Sequence, residues 1–190
     1  MRAHVIATWG LAMLLAGPAA RTQAKEMKET FSAFAVNMGT LGPKTAGTVD
    51  ISIERWITDA ERETLRTALA EKGPRGLLTA LQKTPRVGYM RTPNSLGYEL
   101  HYAVQIPLED GGRRILLATD RRIGFLEARN RGGDSDYPFT VIELHLDRDD
   151  AGEGKMAMAA QIDLNKATRA LEIEYASSEP VRLNAVRKLR

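Results

Sequence analysis

The sequence predicts an α+β fold that is mainly β: an antiparallel or barrel-like sheet of about 8–10 strands, with a helical hairpin inserted after the second strand. Three observations support this class. Apolar residues recur mostly with period two, which places every second side chain on one face of a strand. One stretch, 55–85, has helical spacing instead. The connections between the periodic segments are short and contain residues that favour tight turns.

The clearest strand pattern spans residues 98–106, where large apolar side chains alternate with mostly polar ones. The other predicted strands, in chain order, cover 31–38, 49–53, 86–91, 113–119, 123–128, 137–147, 156–164, 171–175 and the tail from 181. In the tail, Val181, Leu183 and Ala185 are expected on the apolar face. The short connections predict that neighbouring strands pair in sequence order.

The helical stretch begins with a capping box, because Thr58 is followed three residues later by Glu61. Leu65 and Leu69 then lie on one helical stripe. Gly73 and Pro74 end that helix and allow a second, shorter one, so a helical hairpin is expected. Two arrangements remain open: a barrel with the helices as a lid or plug, or an open sheet with the helices across one face.

Residues 1–24 have the pattern of a signal peptide, and residues 25–190 are expected to form a single β-rich domain. The apolar part of the leader is shorter than the roughly 20 residues that cross a bilayer as a helix. We therefore predict an exported protein, periplasmic or extracellular, with no integral membrane segment after signal cleavage.

The composition excludes several kinds of chemistry. The chain has no cysteine, which excludes disulfides, thiol catalysis and cysteine-bound zinc. Loss of Arg2 and Arg21 with the leader lowers the formal net charge from +3 to +1, which is not typical of a nucleic-acid-binding protein. No cofactor is predicted, and the expected partner is a small molecule or another protein.

Four acidic residues crowd around Gly152: Asp147, Asp149, Asp150 and Glu153. A calcium loop counted from Asp147 would need acidic residues at positions five and twelve, which are Ala151 and Met158 here. The flanking segments alternate like strands. The sequence therefore predicts a hairpin turn at 149–152.

A second candidate site contains the two histidines that follow the leader, His101 and His145. His145 shares a strand face with Glu143 and Asp147, because the three residues are spaced by two. If His101 lies close to His145, these residues form a weak candidate for a metal site or for acid–base catalysis. The alternative is two surface histidines without a shared role, and no metal is the preferred prediction.

A third candidate is the apolar sheet face, which carries tyrosine and methionine side chains: Tyr98, Tyr102, Met156, Met158 and Tyr175. Tyrosine combines an apolar ring with a polar tip, and methionine adapts its shape, so this mixture suits a ligand cavity. It suits an ordinary core equally well, because a chain of this length needs most of its apolar residues for stability.

The stretches RVGYMRTPNSLGYELHYAVQIPL, LATDRRIGFLEARN and SDYPFTVIELHLD, with the leader and the ending EPVRLNAVRK, resemble members of a family of exported bacterial proteins that has no assigned function. The resemblance implies export and a single domain, and it implies no catalytic residue. The resulting hypothesis is a non-catalytic exported module that binds a small apolar or amphipathic ligand, or a protein partner, on its antiparallel sheet. The alternative is a hydrolase-like or metal-dependent enzyme that uses His101, His145 and nearby carboxylates.

Overall fold

A computed structural model describes residues 28–37, 45–93, 97–121, 138–164, 171–175 and 180–189. Its elements are β1 (Glu29–Asn37), β2 (Thr45–Ile53), α1 (Asp59–Lys83), β3 (Gly88–Arg91), β4 (Tyr98–Leu100), β5 (Tyr102–Pro107), β6 (Arg113–Thr119), β7 (Phe139–Leu146), β8 (Ala151–Leu164), β9 (Leu171–Tyr175) and β10 (Val181–Leu189). The signal peptide predicted at 1–24 and the strand predicted at 123–128 lie outside the described residues.

The strands form one antiparallel sheet in a single domain, which confirms the predicted mainly-β class. The strand order is β4-β3-β2-β1-β10-β8-β7-β6-β5, and β9 pairs with β8 beside this path. Most neighbours in sequence pair, as the short connections predict. There are two exceptions: β4 and β5 form the two ends of the strand order, and β10 does not pair with β9 but lies between β1 and β8. Sequence-order pairing is wrong for β10 because it satisfies the backbone groups of β1, which is distant from it in sequence, as well as those of β8.

The two ends of the strand order, β4 and β5, are separated along the chain only by His101. The His101 amide donates to the Ala118 carbonyl in β6 at 3.0 Å, and the Leu100 carbonyl accepts from the Val87 amide at 2.8 Å. The segment predicted as one strand at 98–106 therefore divides at His101 between two partners. This arrangement brings both ends of the sheet together and nearly closes it into a barrel.

Strand β10 contains a bulge at Ala185, whose φ of 50° is rare for a residue with a side chain. The pairing register shifts there against both β1 and β8. As a consequence Val186 is buried, and Ala185 is exposed. The predicted apolar face of Val181, Leu183 and Ala185 is therefore wrong at its third member.

The β7–β8 hairpin confirms that the acidic stretch is a turn, but the turn lies two residues earlier than predicted. The Asp147 carbonyl accepts from the Asp150 amide at 3.2 Å, and β8 begins at Ala151. The Asp147 carboxylate accepts from the amides of Asp149 at 2.8 Å and Ala151 at 3.0 Å. This Asx-type capping by Asp147 sets the position of the turn.

Two hydrophobic clusters lie on opposite faces of the sheet. The interior cluster contains side chains from most of the strands, among them Phe31, Ile51 and Leu117. The second cluster joins the helical segment to the outer face of β5, β7 and β8. The alternation of β5 shows the two faces directly, because Ala103 belongs to the interior cluster and Tyr102 to the outer one. The helical segment thus packs against the outside of a barrel-like sheet.

The capping box predicted at the start of α1 is present. The Thr58 side chain accepts from the Glu61 amide, and the Glu61 carboxylate accepts from the Thr58 amide. Four buried leucines form the face toward the sheet: Leu65, Leu69, Leu77 and Leu81. Each stabilises the fold by roughly 1.5–3 kcal/mol relative to an exposed side chain.

The two-helix hairpin predicted here is not confirmed. The structure has one helical segment, interrupted by Gly73 with φ 63° and ψ −160°. In the part of the chain that the structure describes, no helix is both long enough and apolar enough to span a bilayer.

Four charged side chains form an ion network at one end of the barrel: Glu29, Arg113, Asp150 and Lys188. The Arg113 guanidinium lies 2.9 Å from Glu29 and 2.6 Å from Asp150. The Lys188 ammonium lies 3.2 Å from Glu29 and 3.4 Å from Asp150. Burial alone lowers the pKa of Arg113, but the hydrogen bonds and charges of Glu29 and Asp150 raise it overall. The network is electrically balanced.

Candidate functional site

His145 and Glu143 lie together on the outer face of β7, as their spacing predicts. The His145 Nε2 donates to Glu143 Oε1 at 2.7 Å, because a carboxylate oxygen can only accept. Arg114 in β6 lies 3.7 Å from the same oxygen. The His145 side chain is 52% exposed. A carboxylate thus orients an accessible imidazole on an open sheet surface.

His101 has a different environment, because it is buried where the sheet closes. Its Nδ1 lies 2.8 Å from the carbonyl oxygen of Thr84, which is the residue that follows α1. Because a carbonyl oxygen can only accept, Nδ1 is the donor in this hydrogen bond. Its Nε2 faces the Asp120 carboxylate at 3.8 Å. His101 therefore connects the end of α1 to the place where β4 and β5, the two ends of the sheet, meet beside β6.

The structure does not bring the two histidines together. His145 is paired with Arg114, and His101 bonds to Ala118, four residues further along β6. At the strand rise this separates the two positions by about 13 Å. The Asp147 side chain accepts two amides within its own turn. Among the described residues, no group of three His, Asp or Glu side chains is arranged to hold a metal ion.

The tyrosines and methionines of the candidate ligand face separate into different environments. Tyr98 and Met156 are buried in the interior cluster of the barrel. Tyr102 packs under the helical segment, where burial raises the pKa of its hydroxyl and the nearby Arg62 partly opposes that effect. The side chains of Met158 and Tyr175 lie outside the part of the structure that is described. Where they are described, these side chains fill the core.

A groove lies on the helical segment, away from the barrel interior. It has a volume of about 630 Å³ and is lined by residues on both sides of Gly73. We call it the α1 groove, with its first wall at residues 61–72 and its second wall at residues 75–85. Ala68, Gly76 and Ala80 also line the groove, and the two walls meet where Gly76 approaches the Ala68 carbonyl.

The α1 groove is basic. Lys72, Arg75 and Lys83 line it. Among the described residues, no partner forms a hydrogen bond with any of these three side chains, and no acidic group lies within 4.0 Å of them. Glu61 also lines the groove, but Arg55 holds both of its carboxylate oxygens, at 2.9 and 3.0 Å. The negative charge of Glu61 is thus neutralised locally, and the groove keeps three cations that have no partner in the described part of the chain.

Two threonine hydroxyls complete the polar lining. Thr64 donates to the Ala60 carbonyl at 2.9 Å, and Thr79 donates to the Arg75 carbonyl at 3.0 Å. Because each hydroxyl proton is used within the helix, each oxygen can still accept a hydrogen bond from a bound group. The groove therefore offers positive charge and hydrogen-bond acceptors together.

Sequence reasoning missed the α1 groove, although the sequence contains a signal for it. Arg75, Thr79 and Lys83 are spaced by four and form one polar stripe on a helix. Thr64, Ala68 and Lys72 have the same spacing on the other side of Gly73. Only the tertiary structure shows that the two stripes face a common space. Comparison of the chain with protein-family models, with curated proteins and with solved structures finds no match.

Proposed function

We propose that the protein is an exported, non-catalytic binding module that holds a ligand or partner in the α1 groove and uses the barrel as a rigid support. The observation that carries this proposal is the set of three cations, unpaired within the described ranges of the chain, around an open groove of about 630 Å³. Unpaired basic side chains that share a concave surface attract a complementary negative group.

Binding outside the barrel is favoured over binding inside it. Residues that would line an internal cavity, such as Tyr98 and Met156, are packed with Phe31, Ile51 and Leu117 in a continuous core. Large side chains that fill a closed sheet leave a packed interior rather than a ligand chamber. The sheet is therefore proposed as the support of the binding surface.

We further propose that α1 acts as two helical arms that fold back at Gly73. Arg55 supports this arrangement because it contacts Glu61 near the start of α1 and donates to the Pro85 carbonyl just after its end, at 2.7 Å. Gly76 supports it too, because a β-carbon added there would lie 2.7 Å from the Ala68 carbonyl oxygen. In a straight helix these two positions are about 12 Å apart along the axis.

The proposal can be tested by NMR on the protein lacking residues 1–24, titrated with a fragment library that contains carboxylates, amines and neutral compounds. We expect chemical-shift changes that cluster at residues 64–84. Changes that cluster in the barrel interior, or a complete lack of changes, would contradict the proposal.

A second candidate function is catalysis by the His145–Glu143 pair, favoured by their 2.7 Å hydrogen bond. A carboxylate that orients an imidazole is a common general-base arrangement. Its test is a screen of ester, amide and phosphoester substrates with the wild-type protein and with His145→Ala. Hydrolysis that disappears in the variant would support the enzyme and argue against a purely binding role.

A further inference from the structure

The α1 groove carries cations at both ends of its second wall. Arg75 and Lys83 lie eight residues apart on the same helical stripe, which corresponds to about 12 Å along the axis. A ligand that pairs with both cations without drawing them together carries at least two negative groups with a similar separation.

The remaining lining indicates what joins these negative groups. The hydroxyl oxygens of Thr64 and Thr79 are free to accept hydrogen bonds, because their protons are donated to helix carbonyls. An extended peptide provides N–H donors along its length, whereas an acyl chain or a simple polyanion has none. Ala68, Gly76 and Ala80 line the groove without long side chains that would project into it.

From this geometry we infer that the α1 groove binds an extended, acidic peptide segment of a partner protein, with two carboxylates four residues apart. In an extended chain, four residues span about 13 Å, which matches the separation of Arg75 and Lys83. The intervening residues lie over Ala68, Gly76 and Ala80, and their amides donate to the threonine oxygens. The inference rests on the proposed function and specifies the ligand of the same groove.

The test uses three blocked synthetic peptides, titrated against the protein lacking residues 1–24 by isothermal calorimetry and NMR. The first is Glu-Ala-Ala-Ala-Glu, the second is Gln-Ala-Ala-Ala-Gln, and the third is Glu-Glu-Ala-Ala-Ala. We expect the first peptide to bind at least about tenfold more tightly than the second, because two charge pairs are lost. We expect it also to exceed the third, whose adjacent charges cannot reach both ends of the groove.

Charge reversal tests the two ends of the groove. We expect Arg75→Glu and Lys83→Glu each to weaken binding of the first peptide about tenfold or more, because an attraction is replaced by a repulsion. Arg182→Glu is the matched control, since Arg182 is an exposed cation of β10 outside the groove. It should leave the affinity unchanged. Unchanged thermal melting of all three variants shows that the fold is retained.

Three results would overturn the inference. The first is equal binding of the acidic and neutral peptides. The second is binding of phosphatidylglycerol vesicles through the same cations without binding of peptide, which would indicate a lipid surface. The third is concentration-dependent self-association that Lys83→Glu abolishes, which would indicate that a second copy occupies the groove. If fragments bind at residues 64–84 but the acidic and neutral peptides bind equally, only this inference is overturned and the proposed function stands. If nothing binds at residues 64–84, the proposed function is overturned as well.

Discussion

The carboxylate of Glu29, the first residue of β1, lies 2.9 Å from the guanidinium of Arg113, the first residue of β6. Strands β10, β8 and β7 lie between β1 and β6 in the sheet. The pair therefore connects two strands of the barrel that form no backbone hydrogen bonds with each other. Lys188 in β10 and Asp150 in the turn between β7 and β8 complete the connection. The network acts as a clasp at the end of the barrel where these strands meet.

Replacement of Glu29 by glutamine should destabilise the protein. The change leaves Arg113 and Lys188 to share Asp150 alone, in a site where Glu29 is only 4% exposed. We expect a loss of about 2 kcal/mol in the free energy of unfolding, measured by urea denaturation. The matched control is Glu63→Gln, which breaks the exposed Glu63–Arg66 pair on α1 and should change nothing measurable. Equal effects of the two variants would contradict a specific role of the clasp.

The capping box should make the stability depend on pH. Burial alone raises the pKa of Glu61, but hydrogen bonds from Arg55 and Thr58 outweigh that effect and lower it overall. The stabilisation is therefore present above the pKa of Glu61 in the unfolded chain, about 4.3, and is lost as the pH falls through the lower folded value. We expect the stability difference between wild type and Glu61→Gln to be largest near pH 7 and to shrink below about pH 4.

The measurement is a series of urea denaturation curves between pH 7 and pH 3. The control is Glu71→Gln, a change at an exposed residue of the same helical segment. The stability difference between this variant and wild type should stay the same at every pH. A difference between wild type and Glu61→Gln that does not vary with pH would argue against the charged capping box.

Truncation of the two histidines should lower the stability of the protein by different amounts. His101→Ala removes the donor to the Thr84 carbonyl at the point where the barrel closes, and we expect a loss of about 2 kcal/mol in the free energy of unfolding. His145→Ala removes a largely exposed side chain, and we expect a change below about 0.5 kcal/mol. His101→Asn should recover part of the loss, since its amide can donate to the same carbonyl. Denaturant curves that show equal losses for the two alanine variants would refute this assignment.

Gly76→Ala should destabilise the protein, although alanine favours an ordinary helix by about 1 kcal/mol over glycine. The added β-carbon would lie 2.7 Å from the Ala68 carbonyl oxygen and even nearer to the Lys72 side chain, so the two parts of α1 would have to separate. We expect a lower melting temperature in calorimetry. Gly47→Ala is the control, because a β-carbon there meets nothing within 4 Å. A higher melting temperature for Gly76→Ala would show that the two parts do not pack closely.

Local patterns predicted the elements well where one periodicity was sufficient. Alternating residues identified β9 at its observed bounds, and the Thr58–Glu61 pair identified the start of α1. The same alternation concealed the break at His101, because side chains continue to alternate while the hydrogen-bonding partner changes from β3 to β6. The bulge at Ala185 was missed for a similar reason: its conformation depends on two neighbouring strands.

The candidate sites show the same limit. The spacing of Glu143 and His145 correctly predicted that their side chains share a face, since residues two apart on a strand always do. Whether His101 joins them depends on the register along β6, which no local pattern contains. The α1 groove depends on the approach of Gly76 to Ala68, eight residues away in sequence.

The sequence by itself determined the strands, the capped helical segment and the turn at the acidic stretch, because each depends on the conformational preferences of residues close together in the chain. Only the tertiary structure decided that β10 lies between β1 and β8, that the sheet closes at His101, and that three cations surround one groove. These features arise from contacts between distant segments, whose free energy depends on the whole packed arrangement.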